Sequence, residues 1–206
     1  MDEELVTCLK QTLKDAKIVY GNVCIVSSLG VGSMVIIHFA HELRLEFPIL
    51  HIDTGFHFTE TRDFKELVVK RYGGMLEASP INETALPFDD PDRCCYRRKV
   101  VPLRIALELC TAWISGLRRD QGPTRNGHSL TEYGLGKVKI NPLIDWTLSD
   151  VWNAIRKYGI PYNPLYDQGY KSIGCTFCTK KVEPEAEERS GRWVGHEKVE
   201  CGIHQK

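Results

Sequence analysis

The sequence predicts an α/β fold: a doubly wound, mostly parallel sheet with helices on both faces. Three observations carry that reading. Short, wholly apolar runs such as residues 23–26 and 49–52 alternate with longer helical patterns, as strands buried on both faces of a parallel sheet do. The first two runs break off into Gly, Ser, Asp and Thr turns, where a strand hands over to a helix. At 206 residues and 42% hydrophobic, the chain suffices for one substantial core and is too short for two ordinary domains.

The elements follow in order. Leu5, Leu9 and Leu13 recur at a spacing of four within residues 3–20 and predict an amphipathic helix. The strand at 23–26 leads through Ser27-Ser28-Leu29-Gly30-Val31-Gly32-Ser33 into a helix to about residue 46. A second strand at 49–52 ends at Asp53-Thr54-Gly55, and a helix follows over 59–72, stopped by Gly73-Gly74. Further strands are predicted at 75–78, 112–114 and 138–140, with a helix at 99–109. Thr147 with Asp150 reads as a capping box that opens a helix to about residue 158. From Gly159 onward Pro and Gly interrupt every periodic run. The expected organisation is one nucleotide-binding domain over 1–180 and a loop-rich, flexible tail over 181–206.

Lys+Arg and Asp+Glu both total 27, a balance that argues against a nucleic-acid or anionic-membrane binder. The first residues are acidic, unlike a signal peptide, and no run is long and apolar enough to span a membrane. A cytoplasmic protein is the expectation. Eight cysteines then need a reason other than a disulfide framework, because cytosolic thiols are kept reduced. Cys8, Cys24 and Cys110 lie in apolar segments and read as small core residues. The other five sit among Arg, Gly and turn residues.

The Gly-rich turn at 27–33 has backbone N–H groups and a helix start that suit a phosphate, yet it lacks the Lys-Ser/Thr of a Walker loop. With Asp53, Thr54 and Gly55 at the next strand end it suggests a nucleotide site, since open parallel sheets bind ligands beyond their carboxyl edges. Plain helix capping is the competing explanation. Cys94-Cys95 and Cys175-Thr176-Phe177-Cys178 form two half-sites for a metal. Adjacent cysteines both ligate only from a bent backbone, which favours a [4Fe–4S] cluster over zinc; a redox pair and inert thiols are the alternatives. Lys99, Arg118, Arg119, Arg189 and Arg192 flank glycine or cysteine motifs and suit a phosphate or sulfate. Cys201, close to the end of the sequence given, sits beside Gly202. It reads as a nucleophile on a moving segment, with arginines or His204 favouring its thiolate.

With these residues in view, the chain resembles the sulfonucleotide reductases, the phosphoadenylyl- and adenylyl-sulfate reductase family. The similarity runs through His51-Ile52-Asp53-Thr54-Gly55, Cys94-Cys95-Tyr96-Arg97-Arg98-Lys99, Trp113-Ile114-Ser115-Gly116-Leu117-Arg118-Arg119-Asp120-Gln121 and Glu200-Cys201-Gly202-Ile203-His204. The resemblance implies an adenine nucleotide α hydrolase-like sheet and a [4Fe–4S] cluster on Cys94, Cys95, Cys175 and Cys178. It implies Cys201 and His204 as catalytic residues. Substrate would be bound by Ser27, Ser28, Asp53, Thr54, Gly55, Lys99, Gly116, Arg118, Arg119, Arg189 and Arg192. The activity implied is reduction of adenylyl sulfate to sulfite and AMP through a Cys201 thiosulfonate, in assimilatory sulfate reduction, with thioredoxin as donor in a homo-oligomer. Three departures stand out: Gly32-Ser33 replaces an acidic pair, Gly122 replaces a serine, and residues 81–92 are short. The rival readings are a 3′-phosphoadenylyl-sulfate reductase, an ATP pyrophosphatase or sulfurtransferase, and a non-catalytic iron–sulfur nucleotide binder.

Overall fold

The computed structural model describes residues 3–80 and 90–204. Its sheet holds six strands in the order β3-β2-β1-β4-β6-β5, with β1 at Val23–Ser27, β2 at Ile49–Ile52, β3 at Met75–Ala78, β4 at Ala112–Ile114, β5 at Thr131–Gly134 and β6 at Lys137–Ile140. The neighbours from β3 to β6 pair in parallel, and β5 runs antiparallel to β6. The predicted doubly wound sheet is therefore observed, with one strand, β5, that the sequence reading lacked. Its Thr, Glu and Tyr alternate in exposure on a sheet edge, so no apolar run announces it. Leu135 and Gly136, both at positive φ, close the β5–β6 hairpin as a two-residue turn of the kind that matches strand twist.

Helices α1 (Glu3–Tyr20), α2 (Val31–Glu42), α3 (Thr59–Tyr72) and α6 (Leu148–Tyr158) share one apolar cluster, built from Leu9, Leu13, Met34, Phe39, Phe64, Val68, Val151 and Ile155 with the β1 residues Val23 and Ile25. On the opposite face Cys24, Leu50, Ile52 and Trp113 pack with Leu103 and Leu107. Those two leucines belong to a single helical rod made of α4 (Pro91–Cys95), a π-helical turn (Tyr96–Val100), α5 (Val101–Ala106) and a 3-10 turn (Leu107–Leu109). The rod starts eight residues before the predicted residue 99. Asp90 caps it by accepting from the N–H groups of Asp92 and Arg93, and Pro91 occupies the first turn, where its missing N–H costs nothing.

Two cysteine expectations are corrected. Cys8 is exposed, because the buried stripe of α1 is Val6, Leu9, Leu13 and Ala16. Cys24 and Cys110 are buried as expected but bonded to each other as a disulfide, which ties β1 to the segment entering β4. Helix α2 stops at Glu42, short of residue 46, and Arg44 and Glu46 take positive φ. The shortened segment at 81–92 lies, for residues 81–89, outside the described residues.

After Gly159 the described residues form short 3-10 turns and one isolated bridge between Thr179 and Arg192. Lys180 N–H donates to Gly191 at 2.9 Å and Trp193 N–H to Cys178 at 3.2 Å, so the strand-like arms 178–182 and 189–193 lie together. Residues 181–204 rest against the sheet domain, with Trp193 and Glu200 buried.

Candidate active site

β1 and β4 are neighbours, yet the chain leaves β1 toward β2 on one side and returns to β4 on the other. Their carboxyl ends form the topological switch point, where open α/β sheets bind ligands. Ser27-Ser28 and Ser115-Gly116 stand there. The first turn of α2 presses backbone to backbone against the loop after β4: a Cβ on Gly116 would lie 2.8 Å from Ser33 N, and one on Gly32 would lie 3.0 Å from Gly116 O. Gly32 thus stands, where the resemblance expects an acidic residue, at a position with little room beyond the backbone.

A cavity opens at this point. Ser27, Ser28, Thr54, Lys99, Gly116, Arg118, Arg189, Arg192, Cys175, Cys201 and His204 from the sequence reading all line it. Asp53, Gly55 and Arg119 do not. Asp53 instead accepts from Gly55 N–H at 2.8 Å, the local capping role weighed against a ligand role. Arg119 turns outward to Asp145 and to the carbonyl of His128. Its neighbour Arg118 turns inward and is fully buried.

Several loop residues are spent on the loop itself. Ser27 Oγ donates to Ser33 Oγ at 2.8 Å and accepts from Leu29 N–H at 2.9 Å. Ser33 Oγ donates in turn to the Gly30 carbonyl at 2.9 Å. Tyr166 Oη accepts from Val31 N–H at 3.3 Å, and burial pushes that phenol up to about 12. The start of α2 therefore carries a neutral hydroxyl that the sequence reading did not assign to the site.

The cavity is strongly cationic in a chain of zero net charge. Lys99, Arg118, Arg125, Arg189 and Arg192 line it, and Glu188 is the acidic group on its wall among the described residues. Arg118 gives Nε to Asp120 at 2.8 Å and Nη2 to Glu188. Its Nη1 is buried with no partner among the described residues, an orphan donor of the kind that points to a ligand. Burial, with Arg125 nearby, lowers Arg189 to about 10, so it remains charged at neutral pH. Arg125 was missed: it follows Pro123-Thr124 in a 3-10 turn, and only the fold brings it inward.

Lys99 sits on the π-helical turn after Cys95. Burial disfavours its charge, but the sulfurs of Cys175, Cys201 and Cys95 overcome this and raise its pKa. Cys175 accepts or donates a 3.2 Å contact with Thr54 Oγ1. Burial works against its thiolate, yet Lys99, Thr54 and Arg192 pull its pKa down. Cys94 is pushed up to about 11, by burial first and then by its neighbours Cys95 and Cys175. Cys95 and Cys178 are raised, chiefly by burial.

The four thiols thus lie within electrostatic reach of one another, with Cys94 and Cys95 at the end of α4 where it runs into the π-helical turn, an element frequent at functional sites. Among the described residues no group of three or more His, Cys, Asp or Glu converges on a single ion position. The donor set is four sulfurs backed by Lys99, Arg98 and Arg192. Such a set suits a thiolate-bound iron–sulfur group, whose ligands surround a cluster instead of meeting at one ion.

Cys201 lines this cavity and also a second, outward groove beside Asp92, Arg93, Tyr96 and Arg97. His204 does not supply the cation expected of it. Burial, together with Arg125, Lys139 and Arg189, holds its pKa well below the usual value, and its Nδ1 has no partner among the described residues. It is a neutral imidazole, and the cations that interact with Cys201 are Lys99 and, as the arginine alternative expected, Arg189.

Comparison with known proteins comes from three directions. Residues 22–181 match the phosphoadenosine phosphosulfate reductase domain. An adenosine 5′-phosphosulfate reductase of a Geobacillus species is 44% identical over 86% of this chain and 81% of its own length. Adenosine 5′-phosphosulfate reductase 2 of Bacillus subtilis is 42% identical over 92% and 84%. The crystal structure of a phosphoadenylyl-sulfate reductase from Candida auris, a phosphate complex, superposes with a TM-score of 0.73 at 26% identity, covering 84% of this chain and 90% of that one.

Proposed function

The chain belongs to the phosphoadenosine phosphosulfate reductase family, and we propose that it reduces adenylyl sulfate to sulfite and AMP, with Cys201 as nucleophile. One observation carries the reading: Cys201 opens into a switch-point cavity lined by five cationic side chains. The preference for adenylyl sulfate over its 3′-phosphorylated form rests on relatives at 41–44% identity that bear the adenosine 5′-phosphosulfate reductase name.

The nucleotide enters over the ends of β1 and β4, its phosphate and sulfate facing Lys99, Arg192, Arg189 and the orphan Nη1 of Arg118. These charges offset the repulsion a thiolate meets when it approaches an anion. The Cys201 thiolate attacks sulfur; an S–S bond forms, the S–O bond to AMP breaks, and AMP leaves with that electron pair. A dithiol donor of the thioredoxin class then attacks Cys201 Sγ and displaces sulfite. Its second thiol resolves the mixed disulfide, so both electrons come from the donor. His204, neutral, is available to hydrogen-bond the substrate.

Cys94, Cys95, Cys175 and Cys178 would hold a [4Fe–4S] cluster, which supplies a fixed thiolate-rich charge beside Lys99. Within this reading the protein works in the cytoplasm as a homo-oligomer. Incubation of the anaerobically purified protein with adenylyl sulfate tests the core of it: the peptide containing Cys201 gains a sulfonate, and Cys201→Ser yields neither adduct nor sulfite. An unmodified Cys201 peptide overturns the assignment, and purified protein without iron overturns the cluster.

A further inference from the structure

Glu200, the residue before the nucleophile, is buried. Arg125 grips its carboxylate with two donors, Nε at 2.8 Å and Nη2 at 3.2 Å. Arg189 Nη2 donates to it at 3.1 Å and Thr124 Oγ1 at 3.2 Å. Arg125 is itself buried, and its Nη1 is engaged by Gln121. A carboxylate taken out of water is tolerated only with this degree of pairing, and each of its partners keeps it charged: its pKa is depressed by Arg125, Arg189 and Thr124 against the effect of burial.

The chain on the other side of Cys201 is held by different chemistry. Gly202 takes φ +92°, a conformation open to glycine, and turns the chain inward. Ile203 then packs against the cluster that contains Leu50, Leu103 and Trp113. The His204 ring lies parallel to Trp113 at 6.3 Å and 19°. Trp113 is fixed from behind, since its Nε1 donates to the Gly134 carbonyl at 3.1 Å and Lys139 stands over its ring at 5.5 Å.

Cys201 therefore sits between an ionic anchor and an apolar one. We propose that Glu200 is a positioning residue: the latch that closes the tail and sets Cys201 in the cavity before substrate arrives. An apolar contact tolerates small slips, whereas a two-donor guanidinium–carboxylate pair fixes direction as well as distance. The carboxylate is the immediate neighbour of Cys201, so its orientation sets where Sγ points. The same pair makes the closure reversible, because the hydrogen bonds that hold the Glu200 carboxylate can be exchanged for water once the tail lifts.

The proposal rests on Cys201 as the reacting thiol, and its test separates the two ideas. Anaerobically purified, iron-loaded protein is treated with iodoacetamide without nucleotide, and alkylation of the Cys201 peptide is timed against exposed Cys8 as internal reference. Glu200→Gln raises the Cys201 rate on the order of tenfold or more, with Cys8 unchanged, because removing one partner of a buried pair releases the segment. Glu200→Asp, which keeps the charge on a shorter arm, gives an intermediate rate and remains as the working variant should Glu200→Gln fold poorly. In steady-state reduction of adenylyl sulfate, Glu200→Gln lowers kcat by a similar factor while KM changes less than threefold. An unchanged alkylation rate in both variants overturns the latch, as does a fall in KM, which would make Glu200 a competitor for the anion site. The alkylation result stands whether or not the protein reduces adenylyl sulfate.

Discussion

Gly116→Ala tests the geometry of the switch point most directly. The new Cβ would lie 2.8 Å from Ser33 N, 3.1 Å from Gly32 C and 3.3 Å from Ser33 Cα. All three are backbone atoms of the first turn of α2, so no flexible side chain can give way. Ordinary contacts between such atoms lie at roughly 3.5–4.0 Å, and overfilling a packed site costs about 1–3 kcal/mol. With backbone on both sides the upper part of that range applies, about 2–3 kcal/mol. For a urea m-value of about 2–3 kcal/mol/M, the unfolding midpoint drops by roughly 1 M. The same shift moves α2 away from the β4 loop and raises KM for the nucleotide. Gly32→Ala is the control. Its Cβ meets Gly116 O at 3.0 Å and otherwise only side chains at 3.6 Å or beyond. Position 32 is helical, where Ala is favoured over Gly by roughly 0.5–1 kcal/mol, so the two effects nearly cancel. Urea titration followed by tryptophan fluorescence, with KM measured in parallel, ranks the variants. Gly116→Ala matching the wild type in both, or Gly32→Ala proving the worse, would refute the packing argument.

Two further outcomes follow from the structure. Burial lowers His51 from 6.5 to about 4, helped by His57, and its Nδ1–H donates to the Ser27 carbonyl at 3.0 Å. A folded pKa below the unfolded one means that the unfolded chain binds the extra proton between those values; about 3 kcal/mol is present above pH 6.5 and drains away as pH falls toward 4. Stability measured against pH for His51→Gln should lose that slope, and an identical slope counts against the assignment. Lys99→Gln removes a cation that interacts with both Cys175 and Cys201, and kcat should fall roughly 100-fold, as when one preorganised donor is deleted from a transition-state site. A kcat within threefold of wild type in steady-state assays would remove Lys99 from the chemistry.

Much of the fold was legible because strands of a parallel sheet are apolar on both faces and stand out between helices. What escaped had weak local signals. β5 is an edge strand whose Tyr133 is exposed, so it does not look buried. The start of the α4 rod had a readable cap in Asp90-Pro91, but its first turn is polar and carries no periodicity. Cys8 shares an apolar segment with core residues and differs from them only by its angle around α1. Within the site, Arg118 and Arg119 are adjacent in sequence and opposite in fate; a loop conformation decides which goes inside, and loops have no periodicity to read. Arg125 and Glu200 are 75 residues apart, and a contact of that separation has no local trace. Ser27, Lys99, Cys175 and Cys201 stand out in the sequence because their residue types already imply chemistry, and the fold brings all four to one cavity.

The distribution of counter-charges separates the five cations into two groups. Arg118 is matched by Asp120 and Glu188, and Arg125 and Arg189 share Glu200. Lys99 and Arg192 have no carboxylate partner among the described residues; their neighbours are sulfur, the Cys178 carbonyl and the Trp193 ring. A guanidinium already paired to carboxylates offers an incoming anion mainly a directed donor, such as the orphan Nη1 of Arg118. A cation facing thiols keeps most of its field for the ligand. Within the proposed function, net attraction for the sulfate would therefore come from Lys99 and Arg192, while the arginine–glutamate pairs fix the walls and the tail. Lys99 interacts with both Cys175 and Cys201, and Cys95 interacts with Cys201 directly, so the charge carried by the thiol quartet is coupled to Cys201 by both routes.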